Sequence, residues 1–137
     1  MEVDYLVIAE AAVSAGGKHY IHGAGWDTLL VAALPATLPG LAAALRLRTG
    51  AADGDVDLEL DVLDPDGASL VGTAVRGRLE PSAVPPEAPA AGRHRCVTLT
   101  AANLVLRSTG PHVALIRIEG REAARSEFMV ALARSTA

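Results

Sequence analysis

Apolar and polar residues alternate along much of this chain with a period of two, the pattern of strands that bury one face. The clearest case is residues 55–62, DVDLELDV, where acids alternate with aliphatic residues. Successive side chains of a strand point to opposite faces, so this segment predicts a strand with one acidic, solvated face. Residues 64–67, DPDG, have the composition of a turn, and we expect a returning strand over 69–79.

Residues 45–48, LRLR, alternate in the same way just upstream. If residues 49–54 form a hairpin loop, an antiparallel register places Arg48 opposite Asp55 and Arg46 opposite Asp57. Such cross-strand pairs contribute about 0.2–1 kcal/mol each. The sequence therefore predicts that these two segments are neighbours in one sheet.

Short apolar segments elsewhere also favour strands. Residues 5–9 are apolar on both faces, which is typical of a central strand, and residues 95–100 alternate. Residues 113–118 and 127–132 predict a last hairpin around 119–121. The alternative is a helix over 41–47 or over 121–134, because alanine and arginine favour helices.

About eight short strands separated by turns predict an all-β fold, a single-domain antiparallel β-sandwich spanning residues 1–137. A segment rich in proline and alanine, residues 81–92, interrupts the pattern and predicts an extended loop. The uncharged run 28–45 is long enough for a membrane span, but Pro35, Pro39 and Gly40 interrupt it. Two strands joined by a proline corner explain this run better.

Composition narrows the classes of function. Cys96 is the single cysteine, which excludes an internal disulfide framework and fits a reducing compartment. The acidic start, Met1 to Asp4, lacks the basic residues of an export signal, so we expect a cytoplasmic protein. A net charge of −4 argues against nucleic-acid binding. All basic residues but Lys18 are arginine and alanine is abundant, which indicates a high-GC genome.

Residues 17–26, GKHYIHGAGW, predict a strand followed by a bend, in which Gly23 and Gly25 let the chain aim Trp26 into a core. The stretch LVIAEAAVSAGGKHYIHGAGWDTL resembles the opening of domain of unknown function 6941, a family of small bacterial, actinobacterial-type β-sandwich proteins. LELDVLDPDG and the closing VTLTAANLVLRSTGPHVALIRIEG resemble it further, although His112 stands where an aromatic residue is more usual. The resemblance implies a fold and supplies no catalytic or ligand residues.

Histidine and cysteine pairs are the first candidates for a metal site. His19 and His22 lie three residues apart, so they point to opposite faces of a strand, and zinc needs three or four ligands. His94 and Cys96 share a strand face, but two ligands do not make a site, and Arg93 and Arg95 alongside them repel a cation. We therefore expect no metal and no cofactor.

A row of acids invites a calcium hypothesis. Calcium loops converge on one point, whereas acids on alternate positions of an extended strand lie about 6.6 Å apart. A solvated sheet face is the better interpretation. The row comprises Asp53, Asp55, Asp57, Glu59, Asp61, Asp64 and Asp66.

Catalytic and phosphate-binding motifs do not occur in the sequence: it has no Gly-x-Ser-x-Gly elbow and no phosphate-binding glycine loop. We therefore expect a non-catalytic β-sandwich that binds protein, either a second copy of itself or another partner, with neither a nucleic acid nor a membrane as partner. The candidate contact residues are Leu29, Leu30, Val31 and Leu38, for which the alternative is burial in the core.

The alternative function is a module that binds a small molecule or an ion at the bend, through Tyr20, His22 and Trp26. The two functions differ in the expected exposure of Trp26. A tryptophan that binds a ligand is partly accessible in a concave pocket, whereas a core tryptophan is buried.

Overall fold

The computed structural model describes residues 2–48, 56–72, 75–79 and 94–134. Within these ranges the chain forms nine strands and no helix. The strands are β1 Glu2–Ala15, β2 Lys18–Ala24, β3 Thr28–Val31, β4 Ala36–Arg48, β5 Val56–Leu63, β6 Val75–Leu79, β7 His94–Leu106, β8 Gly110–Ile118 and β9 Arg121–Leu132.

The strands form two sheets, one of four strands in the order β2-β1-β4-β7 and one of five in the order β3-β9-β8-β5-β6. All pairings are antiparallel except β3 with β9, which is parallel. The predicted all-β fold is confirmed. The segments for which a helix was the alternative, 41–47 and 121–134, contribute to β4 and β9 instead, because tertiary packing overrides their helix propensity.

The core lies between the two sheets and is built mainly from alternate aliphatic residues of β4, β5 and β7. Trp26 packs against this core with its ring edge-on to Phe128, at 5.8 Å between centroids, as the bend predicted. The largest fully buried side chains are Leu41, Leu45, Leu47, Leu58, Leu60, Val62, Leu104, Leu106, His112, Ile116 and Val130.

Gly16 and Gly17, both with positive φ, form the turn between β1 and β2. Two local predictions are confirmed. The DPDG segment is a turn in which Gly67 N–H donates to Asp64 O, and β8 and β9 form the last hairpin. The returning strand is shorter than expected: Ser69 makes an isolated bridge to Leu63, and β6 begins at Val75.

The predicted hairpin between the LRLR segment and the acidic strand is wrong. β4 and β5 lie in different sheets. Arg46 pairs with Tyr5 and Cys96 in register, and its guanidinium lies 3.8 Å from Asp4 rather than beside Asp57. The alternation was correct, but the connection between the two segments crosses from one sheet to the other, and periodicity does not report on which sheet a strand joins.

β1 is long because its two halves pair with different strands. Glu2–Ala9 pair with β4, whereas Ala9–Ala15 pair with β2. The second half and β2 form a hairpin, here called the β1–β2 hairpin, that folds over the outer face of its own sheet and reaches β7. Ala42 and Ala44 point to that outer face, opposite to Leu41 and Leu45, and are nevertheless fully buried.

The uncharged run 28–45 forms β3 and part of β4, joined by residues 32–35 with a cis Leu34-Pro35 bond. No helix long and apolar enough to cross a membrane occurs in the part of the chain that the structure describes. The predicted loop 81–92 lies outside the described residues.

Candidate functional site

β3 forms one edge of the five-stranded sheet, and half of its backbone groups point away from β9, its one neighbour among the described strands. Asp27 O accepts from Met129 N at 2.7 Å and Val31 O accepts from Ala133 N at 2.8 Å. In a parallel ladder alternate residues direct both N–H and C=O to the same neighbour. Asp27, Leu29 and Val31 therefore face β9, and the N–H and C=O groups of Thr28 and Leu30 face outward.

Apolar side chains surround this edge on the outer face of the sheet. Leu30 is 68% exposed and Met129 is 43% exposed. Thr28, Met129 and Pro111 form one row across three strands, with Leu30 two residues further along β3. We call Leu30, Pro111 and Met129 the edge patch. Leu132, at the end of β9, is 53% exposed as well.

A shallow depression of about 360 Å³ adjoins the edge patch. Pro111, Phe128 and Met129 form its apolar lining, and Asp27 and Glu127 add two carboxylates. The Asp27 carboxylate accepts a hydrogen bond from the Thr28 hydroxyl at 3.0 Å. The surroundings of the β3 edge are thus apolar, with negative charge beside them.

The structure separates the four predicted contact residues. Leu29, Val31 and Leu38 are partly buried and pack against the core, whereas Leu30 is exposed. Alternation along β3 explains the difference, because Leu29 and Val31 point inward and Leu30 points outward. Met129 and Pro111 were not predicted, since their position beside β3 depends on the parallel pairing of β3 with β9.

The predicted ligand bend does not converge on one cavity. Tyr20 and His22 are exposed and lie on the outer face of the β1–β2 hairpin, opposite Val13 and Ala11. Trp26 is half-buried against the core, and its indole N–H donates to Gly23 O at 2.7 Å. The three cavities described in this subsection are lined by other residues.

A polar cluster lies beneath the β1–β2 hairpin and was not predicted. Tyr5 Oη lies 2.8 Å from His19 Nδ1, and His19 Nε2 lies 3.1 Å from Val97 O. The hydroxyls of Ser14 and Thr98 are 2.6 Å apart. These contacts join β1, β2 and β7 across β4. The sequence could have predicted part of this cluster from strand alternation. In a hairpin that turns at Gly16-Gly17, Ser14 and His19 lie opposite each other and point to the same face.

The partners of His19 fix its tautomer. A carbonyl only accepts, so Nε2–H donates to Val97 O, and Nδ1 accepts from the Tyr5 hydroxyl. Burial raises the pKa of the Tyr5 phenol above its ordinary value of 10.0, and the neighbouring Cys96 thiol raises it further. Tyr5 is therefore a neutral donor at physiological pH.

The two residue pairs considered for metal binding lie in different environments. His19 and His22 point to opposite faces of β2, as predicted. His94 and Cys96 share a face of β7, and His94 Nε2 lies 2.9 Å from an Asp4 carboxylate oxygen. Among the described residues there is no group of three or more His, Cys, Asp or Glu side chains suited to a metal ion.

The acids of β5 meet arginines from both neighbouring strands. Arg117 of β8 lies 3.1 Å from Asp61 and 3.6 Å from Glu59, and Arg76 of β6 pairs with Glu59 in register. A cavity of about 350 Å³ lies over this charged face. Asp64 uses one carboxylate oxygen to accept from the backbone N–H groups of Asp66 and Ala68. Asp53 and Asp55 lie outside the described residues.

A third cavity, of about 550 Å³, is an open depression between Glu2, Val3 and the β8–β9 turn. Ile118 supplies apolar surface, and Arg121 and Glu122 lie on its wall. Arg121 and Glu122, which carry opposite charges, are both exposed to solvent. The depression gathers no set of groups that defines a ligand.

Comparisons with known proteins identify the family and nothing about activity. None of the curated proteins matches the chain significantly. Among solved structures, the Pseudomonas fluorescens alkylpurine DNA glycosylase AlkC, bound to DNA containing an abasic site analog, aligns at 12% sequence identity and a TM-score of 0.45. The alignment covers 94% of this chain and 30% of that chain, so the likeness carries no argument.

The family model of DUF6941 matches residues 4–131, which include the strand-bend-strand segment and both closing strands. The chain therefore belongs to DUF6941, a family of unknown function.

Proposed function

We propose that this domain is a non-catalytic protein-binding module that takes an extended, apolar polypeptide strand onto the edge of β3. The observation that carries the proposal is the outward direction of the Thr28 and Leu30 backbone groups, next to the exposed Leu30 side chain. Strand addition at a sheet edge uses such groups for affinity and alternate side chains for specificity.

The composition of β3 supports this function. Edge strands that must avoid other chains are commonly very short or carry lysine, proline or an inward-pointing charge. β3 is short, with four residues, but its sequence TLLV has no lysine, proline or charge. An added strand would also place a neighbour beside Leu30, which is an exposed aliphatic side chain at the edge. The shortness of β3 limits the affinity and favours a reversible complex.

The polar cluster beneath the β1–β2 hairpin favours a structural role over a catalytic one, which supports the proposal of a non-catalytic domain. Its hydroxyl and imidazole groups bond to one another and to a backbone carbonyl, so they hold the hairpin rather than face a substrate. The free thiol of Cys96 supports a reducing, cytoplasmic location for the domain.

Site-specific photo-crosslinking tests the function. A benzophenone amino acid replaces Leu30 in one variant and Val13 in the other, because Val13 is similarly exposed at 60% but lies on the hairpin of the other sheet. Irradiation in the producing cells should give a discrete crosslinked protein from position 30 and none from position 13. No product from position 30, or equal products from both positions, would refute the function.

A further inference from the structure

We infer that the strand added to β3 is β3 of a second copy of this chain, paired antiparallel about a two-fold axis at Leu29. This inference rests on the proposed function and names its partner. In this register Thr28 lies opposite Leu30 of the second copy, and Leu29 lies opposite its own equivalent.

The backbone groups of β3 select this register. Residues that face outward must meet residues that face outward, so Thr28 and Leu30 are the β3 residues that must be paired. Centring the pairing on Leu29 places Thr28 opposite Leu30 twice, and each pair exchanges two hydrogen bonds. Centring it on Leu30 would instead pair Thr28 with Ala32, which lies beyond the end of β3. The Leu29 register is therefore the one that uses both outward-facing residues of the strand.

Charge also permits a second copy. Asp27 is the charged residue that directly precedes β3 in the chain, and in this register it lies opposite Val31 of the second copy. No like charges face each other across the paired strands. A partner with its own acids at those positions would be repelled, because like charges directly opposite one another destabilise a sheet.

The same register brings the two edge patches together. The outward-facing row Pro111, Met129 and Thr28 continues into Leu30 and Ala131 of the second copy. The two-fold axis repeats this row, so Leu30 of each copy gains Thr28 of the other copy as a neighbour on its formerly open side. The two five-stranded sheets become one continuous sheet, and both four-stranded sheets lie on its same side.

The first measurement is the solution mass by light scattering over a range of concentrations. The wild-type chain should approach twice 14.1 kDa as concentration rises. Leu30→Asp puts a carboxylate in place of the apolar side chain opposite Thr28 of the second copy and should raise the dimer dissociation constant by at least about tenfold. Val13→Asp, at a comparably exposed position on the hairpin, should leave it unchanged. A wild-type chain that is monomeric at every concentration overturns the inference.

Disulfide trapping tests the register. In a Cys96→Ser background, Thr28→Cys and Leu30→Cys chains should crosslink when mixed, because opposed residues of a hydrogen-bonded pair have Cα atoms about 5.5 Å apart. Each variant alone should not crosslink, since its two cysteines lie about 8 Å apart, beyond disulfide reach. Crosslinking of Leu30→Cys alone would overturn this pairing.

The outcomes separate the partner from the function. If benzophenone at position 30 captures a different protein while the purified chain stays monomeric, the inference fails and the binding function stands. If position 30 captures nothing, the function fails, and the inference fails with it.

Discussion

At the scale of single residues, the aromatic contacts of the core explain why a histidine occupies a fully buried position. His112 stacks on Phe128 with centroids 5.4 Å apart, and Phe128 in turn meets Trp26 edge-on. His112 Nδ1–H donates to Gly110 O at 2.9 Å, whereas Nε2 is buried without a partner among the described residues. The ring thus acts chiefly as an aromatic surface, which fits the expectation of an aromatic residue here.

Replacing His112 separates the contribution of the ring from that of its hydrogen bond. His112→Ala should lower the free energy of unfolding by about 3 kcal/mol, because it removes the stacked ring and leaves a cavity. His112→Phe keeps the stack and removes the unpaired nitrogen, so it should stay within about 1 kcal/mol of wild type. Urea unfolding measures both. Equal losses in the two variants would show that the bond to Gly110, and not the stack, stabilises this site.

At the scale of elements, the β1–β2 hairpin is held to the sheet by few polar contacts. The Tyr5–His19 bond is one of them, and it depends on the Tyr5 proton. The pKa of Tyr5 is raised in the folded state. As pH rises above 10.0, the unfolded state loses this proton first, so the stabilisation from neutral Tyr5 decreases as pH approaches the folded-state pKa.

Tyr5→Phe should therefore cost about 1 kcal/mol below pH 10, since it leaves His19 Nδ1 without its donor. The difference from wild type should shrink as pH rises above 10. Tyr20→Phe, at an exposed position on the outer face of the same hairpin, is the matched control and should keep the wild-type pH slope. Urea midpoints between pH 8 and pH 11 give the comparison. A constant difference across this range would contradict the role of the Tyr5 proton.

Local signals in the sequence predicted elements well and neighbours poorly. The acidic strand and the DPDG turn were predictable because their patterns depend on adjacent residues. The partners of the acids were not predictable, because Arg117 lies in β8, 56 residues beyond Asp61 in the chain. Of the edge patch, only Leu30 was predictable. The sequence of β3 does not reveal which strand pairs with it, so the positions of Met129 and Pro111 beside it could not be predicted.

At the scale of the whole molecule, β6 and β7, the edge strands of the two sheets, approach each other closely at Gly77. A Cβ on Gly77 would lie 2.5 Å from Leu99 Cδ2. Leu99 is buried, so it has little room to move aside. The absence of a side chain at residue 77 lets the edge strands of the two sheets come together and close that side of the sandwich.

Gly77→Ala should accordingly destabilise the fold by about 1–3 kcal/mol, as added carbon atoms do in a packed core. Gly72→Ala is the control, because a Cβ there meets no described residue within 4 Å, and it should change stability by less than about 0.5 kcal/mol. Thermal or urea unfolding of the two variants checks this. Equal stability of both would mean that Leu99 adopts another rotamer at no cost.

The burial of Ala42 and Ala44 beneath the β1–β2 hairpin has a consequence for the dynamics of the domain. Where the hairpin crosses β4, the molecule is locally three layers thick, and β4 is shielded on both faces and bonded along both edges. The amide hydrogens of residues 42–45, which pair with both β1 and β7 and are buried, should thus exchange only when the whole domain unfolds. This makes the centre of β4 the most stable part of the described fold and confines looser motion to the strands around it.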